Sequence, residues 1–312
     1  KETMLANFLE KSKPINFILY LGLFFCFYTR TIVSMLFEGE FAWHIVFKSI
    51  LLFIIFLSIF FFFNFIVSRN RLTFGHSYAF YVFTLSLILF LRTLCNFETL
   101  NLLLIQLLFL RKVYSFQSSK KVIQKIFDSG FWLGILCLIE PFSILFFILI
   151  YASIFLQQKR TINNLITPII GFISPLIIYF TYLFWNDAAI VFFEIFNIKI
   201  ADTLFIFDKS DPSWIFWGIL FLTLFSTVLK SPKVLSVNNS FKKSWILLII
   251  NAITSVVFAV TVSNKNGSEI VYFLIPASII IANGFEVIQK KIVKNILIIL
   301  LLGITVSTFF LL

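Results

Sequence analysis

The chain has 312 residues, of which 60% are hydrophobic and only 12% charged, with a mean hydropathy of +1.03. A soluble domain carries about a quarter charged residues, so this composition excludes an ordinary soluble globular protein. The 25 Lys and Arg outweigh the 14 Asp and Glu and leave a formal charge of +11. Apolar runs of about 20 residues with few charges read as membrane spans, and here they recur from end to end.

Residues 4–13 mix apolar and basic types and read as a short interfacial helix, with Met4 taken as the natural start. Pro14 opens a first span over 15–37, which is able to direct insertion without a cleaved signal. A polar break over 38–44 precedes a second span, 45–67, and a break holding Arg69 and Arg71 follows it. A short run over 77–91, a tip at 92–98 and a shorter run over 99–110 read as a helical hairpin. The segment 111–127 carries Lys112, Lys120, Lys121 and Lys125 and reads as a helix lying at headgroup depth. A second hairpin covers 131–139 and 142–156, with its tip at Glu140-Pro141. The span over 162–184 contains Pro168, Gly171 and Pro175, residues that mark kinks in membrane helices. The longest break, 185–213, is acidic, and its middle, 188–200, is apolar enough to lie on the membrane. Spans over 214–229, 245–262, 270–282 and 295–312 complete the chain.

Assigning the breaks alternately to two sides gives an orientation. Most Lys and Arg then share the side of the N-terminus, in segments 1–14, 68–76, 111–127, 157–161, 230–244 and 286–294. Most acids fall on the other side, whose loops are 38–44, 92–98, 185–213 and 263–269. The positive-inside rule places the N-terminus in the cytoplasm and the C-terminus outside a bacterial inner membrane. The expected fold is all-α: one polytopic integral-membrane domain over 1–312 with about 11 transmembrane helices, two of them, 99–110 and 131–139, short for a core of about 30 Å. Basic loops facing anionic lipid account for the charge, so no nucleic-acid partner is called for.

Chemistry belongs at the outer tips. Glu38-Gly39-Glu40 holds two carboxylates one residue apart, which can share a divalent cation, or act as a general base with a tuned neighbour, or simply sit in a solvated loop. His44 can join such a metal site or serve as an interfacial residue beside Trp43. Arg92 and Glu98 can pair across the hairpin tip, or Arg92 can hold a lipid phosphate through its planar fork. Glu140 stands among apolar neighbours and needs a partner, with Arg92 and Lys265 as candidates. His76 reads as structural. Cys26, Cys95 and Cys137 are odd in number and lack metal-ligand spacing, so neither a disulfide framework nor a zinc site is expected.

Three stretches carry a family resemblance: Glu38-Gly39-Glu40 in the first outer loop, the small-residue run from Ser129 through Gly130 and Gly134 to Glu140-Pro141, and Glu269-Ile270-Val271-Tyr272-Phe273-Leu274-Ile275-Pro276 near the end. Together they resemble the polyprenyl-phosphate-sugar-dependent integral-membrane glycosyltransferases of the GT-C fold. The stretch Ser12-Lys13-Pro14-Ile15-Asn16 also resembles a bacterial multi-span membrane family to which no activity is attached. The first resemblance implies a GT-C-like fold and sugar transfer from a polyprenyl-phosphate donor at the outer membrane surface. Glu40 or Glu38 would then deprotonate the acceptor, with Arg92 and Lys265 meeting the departing phosphate. Glu98, Glu140, Glu269 and Tyr272 would line the substrate, and Mg or Mn would sit on Glu38, Glu40 and His44. A lateral groove between spans would admit the lipid.

Two other classes compete. A non-catalytic membrane subunit of an envelope complex needs no site and would bury surface against a protein partner. A lipid or solute transporter should carry charges in mid-span, whereas these spans hold almost none apart from Arg30.

Overall fold

A computed structural model of the chain describes residues 9–11, 13–38, 43–196, 213–234, 236, 238–262 and 267–311; the side chains of 35–38, 213 and 311 lie outside that description. The expected start at Met4, Glu40, Lys265 and most of the acidic break after 196 therefore lie outside the described residues. Among those described there are 13 α-helices and no strand. Nine helical stretches are long and apolar enough to cross a bilayer, and Tyr78–Leu89 and Pro141–Leu156 are shorter apolar pieces. The chain is a polytopic helical membrane protein.

The helices are, in order, α1 (Pro14–Glu38), α2 (Trp43–Arg69), α3 (Tyr78–Leu89), α4 (Leu91–Leu94), α5 (Phe97–Tyr114), α6 (Val122–Ile139), α7 (Phe147–Leu156), α8 (Ile162–Trp185), α9 (Ala189–Ile195), α10 (Ser213–Val234), α11 (Asn239–Thr261), α12 (Val271–Val287) and α13 (Lys291–Leu311). Short 3-10 turns occupy Ser115–Gln117, Pro141–Phe146 and Ser268–Ile270. The second expected hairpin forms, with α6 packed on the turn over Pro141–Phe146 and on α7, and in both places the long and short runs differ from the expectation. The run expected over 99–110 belongs to an 18-residue helix, α5, and the run expected over 131–139 to the 18-residue α6. The short arms are α3 and the piece Pro141–Leu156. Nor does 111–127 form a helix of its own at headgroup depth. Arg111–Tyr114 prolong α5, a 3-10 turn follows, and Val122–Phe127 already belong to α6. Helix propagation is cheap once a helix is nucleated, so each neighbouring helix extends into the basic stretch.

Several helix ends explain why boundaries were hard to read. After α2, α7 and α8 the chain turns through Arg71, Gln158 and Asp187, all at positive φ. In each case a backbone N–H reaches back five residues: Leu72 to Val67 O, Lys159 to Ile154 O and Ala188 to Leu183 O, at 2.9–3.1 Å. This is the Schellman arrangement, which caps orphan carbonyls and normally uses glycine. Here it uses none.

The chain gathers into two compact units, one from Lys1–Leu100, Ser210–Val237 and Leu274–Leu312, the other from Asn101–Lys209 and Asn238–Phe273. In the first, α3 is the core. Tyr78 through Ile88 are all buried, as expected of a helix apolar on every side. It packs against α1, α2 and α13. Phe63 and Phe83 stack at 3.9 Å between ring centres, Phe80 meets Phe17 at 4.6 Å, and the Tyr81 hydroxyl donates to Ile298 O at 3.0 Å. With 12 residues, α3 is only about 18 Å long, so protein rather than lipid must surround it.

In the second unit the organising contact is α6 against α8. A Cβ on Gly130 would run into Pro168 O, and one on Gly171 into Phe127 O. A Cβ on Gly134 would lie 2.5 Å from both Phe172 O and the Pro175 ring. Small residues at four-residue spacing let the backbones touch, and dispersion replaces the hydrophobic drive that lipid removes. In this unit α8 exposes Ile162, Ile177 and Ile178, which suits contact with lipid. The short α9 packs on α8, with Phe192 and Phe180 rings at 5.2 Å, and leaves Ile190 and Phe193 exposed.

Gly130→Val should lower stability by about 3 kcal/mol, because the added carbons meet backbone that cannot retreat. Gly218→Ala meets open space and should be neutral or stabilising by up to about 1 kcal/mol. Thermal unfolding of the detergent-solubilised protein, followed by tryptophan fluorescence, checks both.

Candidate functional site

At the acidic break of the first unit, α1 runs to Glu38 and α2 starts at Trp43. The two helices are fastened by the Tyr28 hydroxyl, which donates to Ser49 O at 2.6 Å. Around this clasp lies a cleft of about 260 Å³, lined by residues including Phe25, Tyr28, Ile32, Val33, Val46 and Phe53. Among the described residues no charged group lines it. Val33 and Val46 are the lining residues nearest in sequence to Glu38 and His44.

The hairpin tip joins the same helices. The single turn α4 packs on α1. Lys48 of α2 lies 5.7 Å from the centre of the Phe97 ring. The Cys95 thiol is pushed up to about 12 by burial, with the nearby Lys48 ammonium pulling it down. Arg92 and Glu98 are both exposed, and no ion pair joins them. The carbonyl of the Asn96 side chain instead takes the Glu98 backbone N–H at 3.2 Å. His44 is exposed in the first turn of α2. Among the described residues no three His, Cys, Asp or Glu side chains gather to hold a metal; the side chains of Glu38 and Glu40 are not among them.

The second unit assembles another set of expected residues. Tyr272 is completely buried, and its hydroxyl lies 3.2 Å from Ser143 Oγ. Its ring is stacked on Phe146 and lies 4.3 Å from the centre of Phe258. Its carbonyl accepts from Gln106 Nε2 at 3.0 Å and Ser255 Oγ at 3.1 Å. The turn that starts at Glu140-Pro141 is thereby held to the segment around Tyr272, and Glu140 is close enough to act electrostatically on both Tyr272 and Cys137. Glu269 is buried in the 3-10 turn just before α12. Tyr272 is therefore a packing and hydrogen-bonding hub, which a Tyr-x-x-x-Pro cadence alone could not reveal.

No protein-family model matches the chain, and neither a curated protein nor a solved structure is detectably similar to it. Its own geometry must carry the functional reading.

Sequence reasoning missed two groupings at the basic ends of the helices. In the first unit Lys230 Nζ donates to Glu286 Oε2 at 2.7 Å, and His76 Nε2 stands 3.6 Å from the same oxygen. Lys230 also lies 4.8 Å from the centre of the Phe74 ring, and Lys233 donates to Val287 O. Asn283 Nδ2 donates to Leu72 O, tying α12 to the loop that carries His76. In the second unit Lys112 pairs with Asp128 at 2.6 Å. Lys125 and Lys159 both aim ammonium groups at carbonyls of the turn over 115–118, which favours cations because helix carbonyls end there. Burial, and then the like charge of Lys125, holds Lys159 below the ordinary lysine range. The available signal was a lone acid at the edge of two basic stretches, Asp128 after 111–127 and Glu286 at the start of 286–294, where the surrounding charge bias runs the other way.

Breaking the Lys230–Glu286 pair takes the carboxylate away from a lysine that is only 5% exposed. Glu286→Gln should cost about 2 kcal/mol, less than for a fully buried pair because the carboxylate is partly exposed. Lys230→Met combined with Glu286→Leu should recover most of that loss. Thermal unfolding of the single and double variants measures the coupling.

Proposed function

We propose that this protein is a membrane glycosyltransferase that takes its sugar from a polyprenyl-phosphate carrier at the outer face of a bacterial inner membrane. The observation that supports this reading is the cleft between α1 and α2, whose described lining is without charge and reaches Val33 and Val46, on the two helices that flank the break carrying Glu38-Gly39-Glu40. An isoprenoid chain lying in that cleft brings its phosphate to the acidic break. Lys48 and Arg92, carried by α2 and by the α4 turn packed on α1, supply cations for it.

In the reaction, Glu40 or Glu38 takes the proton from the acceptor hydroxyl, whose oxygen attacks the anomeric carbon. The bond from that carbon to the phosphate oxygen breaks, and polyprenyl phosphate leaves with the bonding pair. Two carboxylates are donors that suit Mg or Mn, with the His44 imidazole a softer third donor, and such an ion would neutralise charge on the leaving phosphate. The N-terminus and the basic segments then face the cytoplasm, and the acidic break faces outward. Glu98, on the same unit as these groups, remains a candidate for substrate contact.

Native mass spectrometry of the gently extracted protein tests the reading. Polyprenyl phosphate, or its sugar conjugate, should be bound to the wild type and lost when Val33→Trp fills the cleft or Arg92→Ala removes the cation. Glu40→Gln should keep the lipid bound and abolish transfer to acceptor in membranes. Bulk phospholipid alone in the wild-type spectrum would remove the proposal.

A further inference from the structure

The first unit holds a second cavity, of about 540 Å³, at the opposite ends of α1 and α2, where the basic segments lie. It is framed by the start of α1, the end of α2 and the loop leading into α3. Its volume falls in the range of small-molecule sites. Three polar side chains on its wall matter most: Lys13, Tyr20 and His76.

Two of them are buried without a hydrogen bond. Tyr20 is 2% exposed, and its hydroxyl closes no hydrogen bond of good geometry. Ser77 stands beside it, but its hydroxyl donates to Leu9 O and accepts from Asn16 Nδ2. His76 is 7% exposed, and neither ring nitrogen closes a hydrogen bond. Its approach to Glu286 at 3.6 Å is too long for one, and that carboxylate is already held by Lys230. A buried polar group left unpaired costs about 1–3 kcal/mol. Two on one cavity wall, beside an exposed lysine, leave a place for a ligand rich in acceptors.

The other walls say what that ligand is attached to. Phe17, Val67 and Phe80 line the cavity, and Ile18 and Phe61 at its rim are exposed on the apolar outer surface. The cavity therefore opens where lipid chains run. We propose that it binds an anionic phospholipid: the phosphate takes donors from Tyr20, His76 and Lys13, and an acyl chain leaves past Ile18 and Phe61. The Lys230–Glu286 pair is neutral as a unit, so Lys13 supplies the charge preference. This site is independent of the transferase reading, since it lies at the other end of the helices and uses none of the same residues.

The test uses the full chain in detergent, with dioctanoyl phosphatidylglycerol, dioctanoyl phosphatidylcholine and inorganic phosphate as probes, read by native mass spectrometry and by thermal shift. Phosphatidylglycerol should bind more tightly than phosphatidylcholine, and Tyr20→Phe and Lys13→Ala should each weaken it by ~10-fold. Without lipid, Tyr20→Phe should melt at the same temperature as the wild type or higher, because it removes an unpaired oxygen. A structural role for that hydroxyl would lower it. Inorganic phosphate binding alone, weakened by the same substitutions, would keep the phosphate site but overturn the lipid as its source. Equal affinity for the two lipids, or affinity unchanged in both variants, would overturn the proposal.

Discussion

Hydrocarbon offers no hydrogen bonds, and nearly everything in this protein answers to that fact. Every described span is helical because only a helix satisfies its backbone from within. The hydroxyls obey the same rule. Thr84, Ser86, Thr223 and Ser278 donate to carbonyls four residues back, at Phe80, Val82, Ile219 and Leu274. Three buried side-chain amides find distant carbonyls or hydroxyls: Gln106 the Tyr272 carbonyl, Asn251 the Tyr114 hydroxyl, Asn283 the Leu72 carbonyl. These bonds cross between elements far apart in sequence, so satisfying polar groups also fixes which helices are neighbours.

With water absent there is little hydrophobic force between helices, and shape takes over. The α6–α8 crossing shows the result, with three glycines removing the side chains that would hold the backbones apart. The same run from Gly130 to Gly134 and on to Glu140-Pro141 carries part of the family resemblance. Its structural role here is close packing, whatever chemistry occurs at the tip beyond it. Charges are managed at the ends of helices, where Asp128 and Glu286 are each claimed by a lysine from another helix.

Much of this was legible from composition and length. Apolar runs located the spans, and Pro14 located the start of α1. The boundaries that went astray have specific causes. Arg71, Gln158 and Asp187 end helices in a conformation usually left to glycine, so nothing local marks them. The basic residues over 111–127 suggested a surface helix, yet charge does not stop a helix from propagating through the headgroup layer. The site was less legible than the fold. Glu38 and Glu40 stand out by spacing, but Phe25, Tyr28, Val33 and Val46 look like any packing face until two helices splay apart. Lys230 and Glu286 are 56 residues apart, and no periodicity connects them. Tyr20 and His76 attract notice only when burial is set against missing partners.

The position of α3 has a consequence for biogenesis. Its Tyr81 hydroxyl closes on Ile298, 217 residues further along the chain. At ordinary translation rates that separation takes about 10–40 s to synthesise. During that interval a helix too short to rest in the bilayer by itself has α1 and α2 beside it but lacks α13. The first unit therefore begins to form early and is sealed late, leaving one open flank that an insertase or chaperone in the membrane would have to shield until the closing helix arrives.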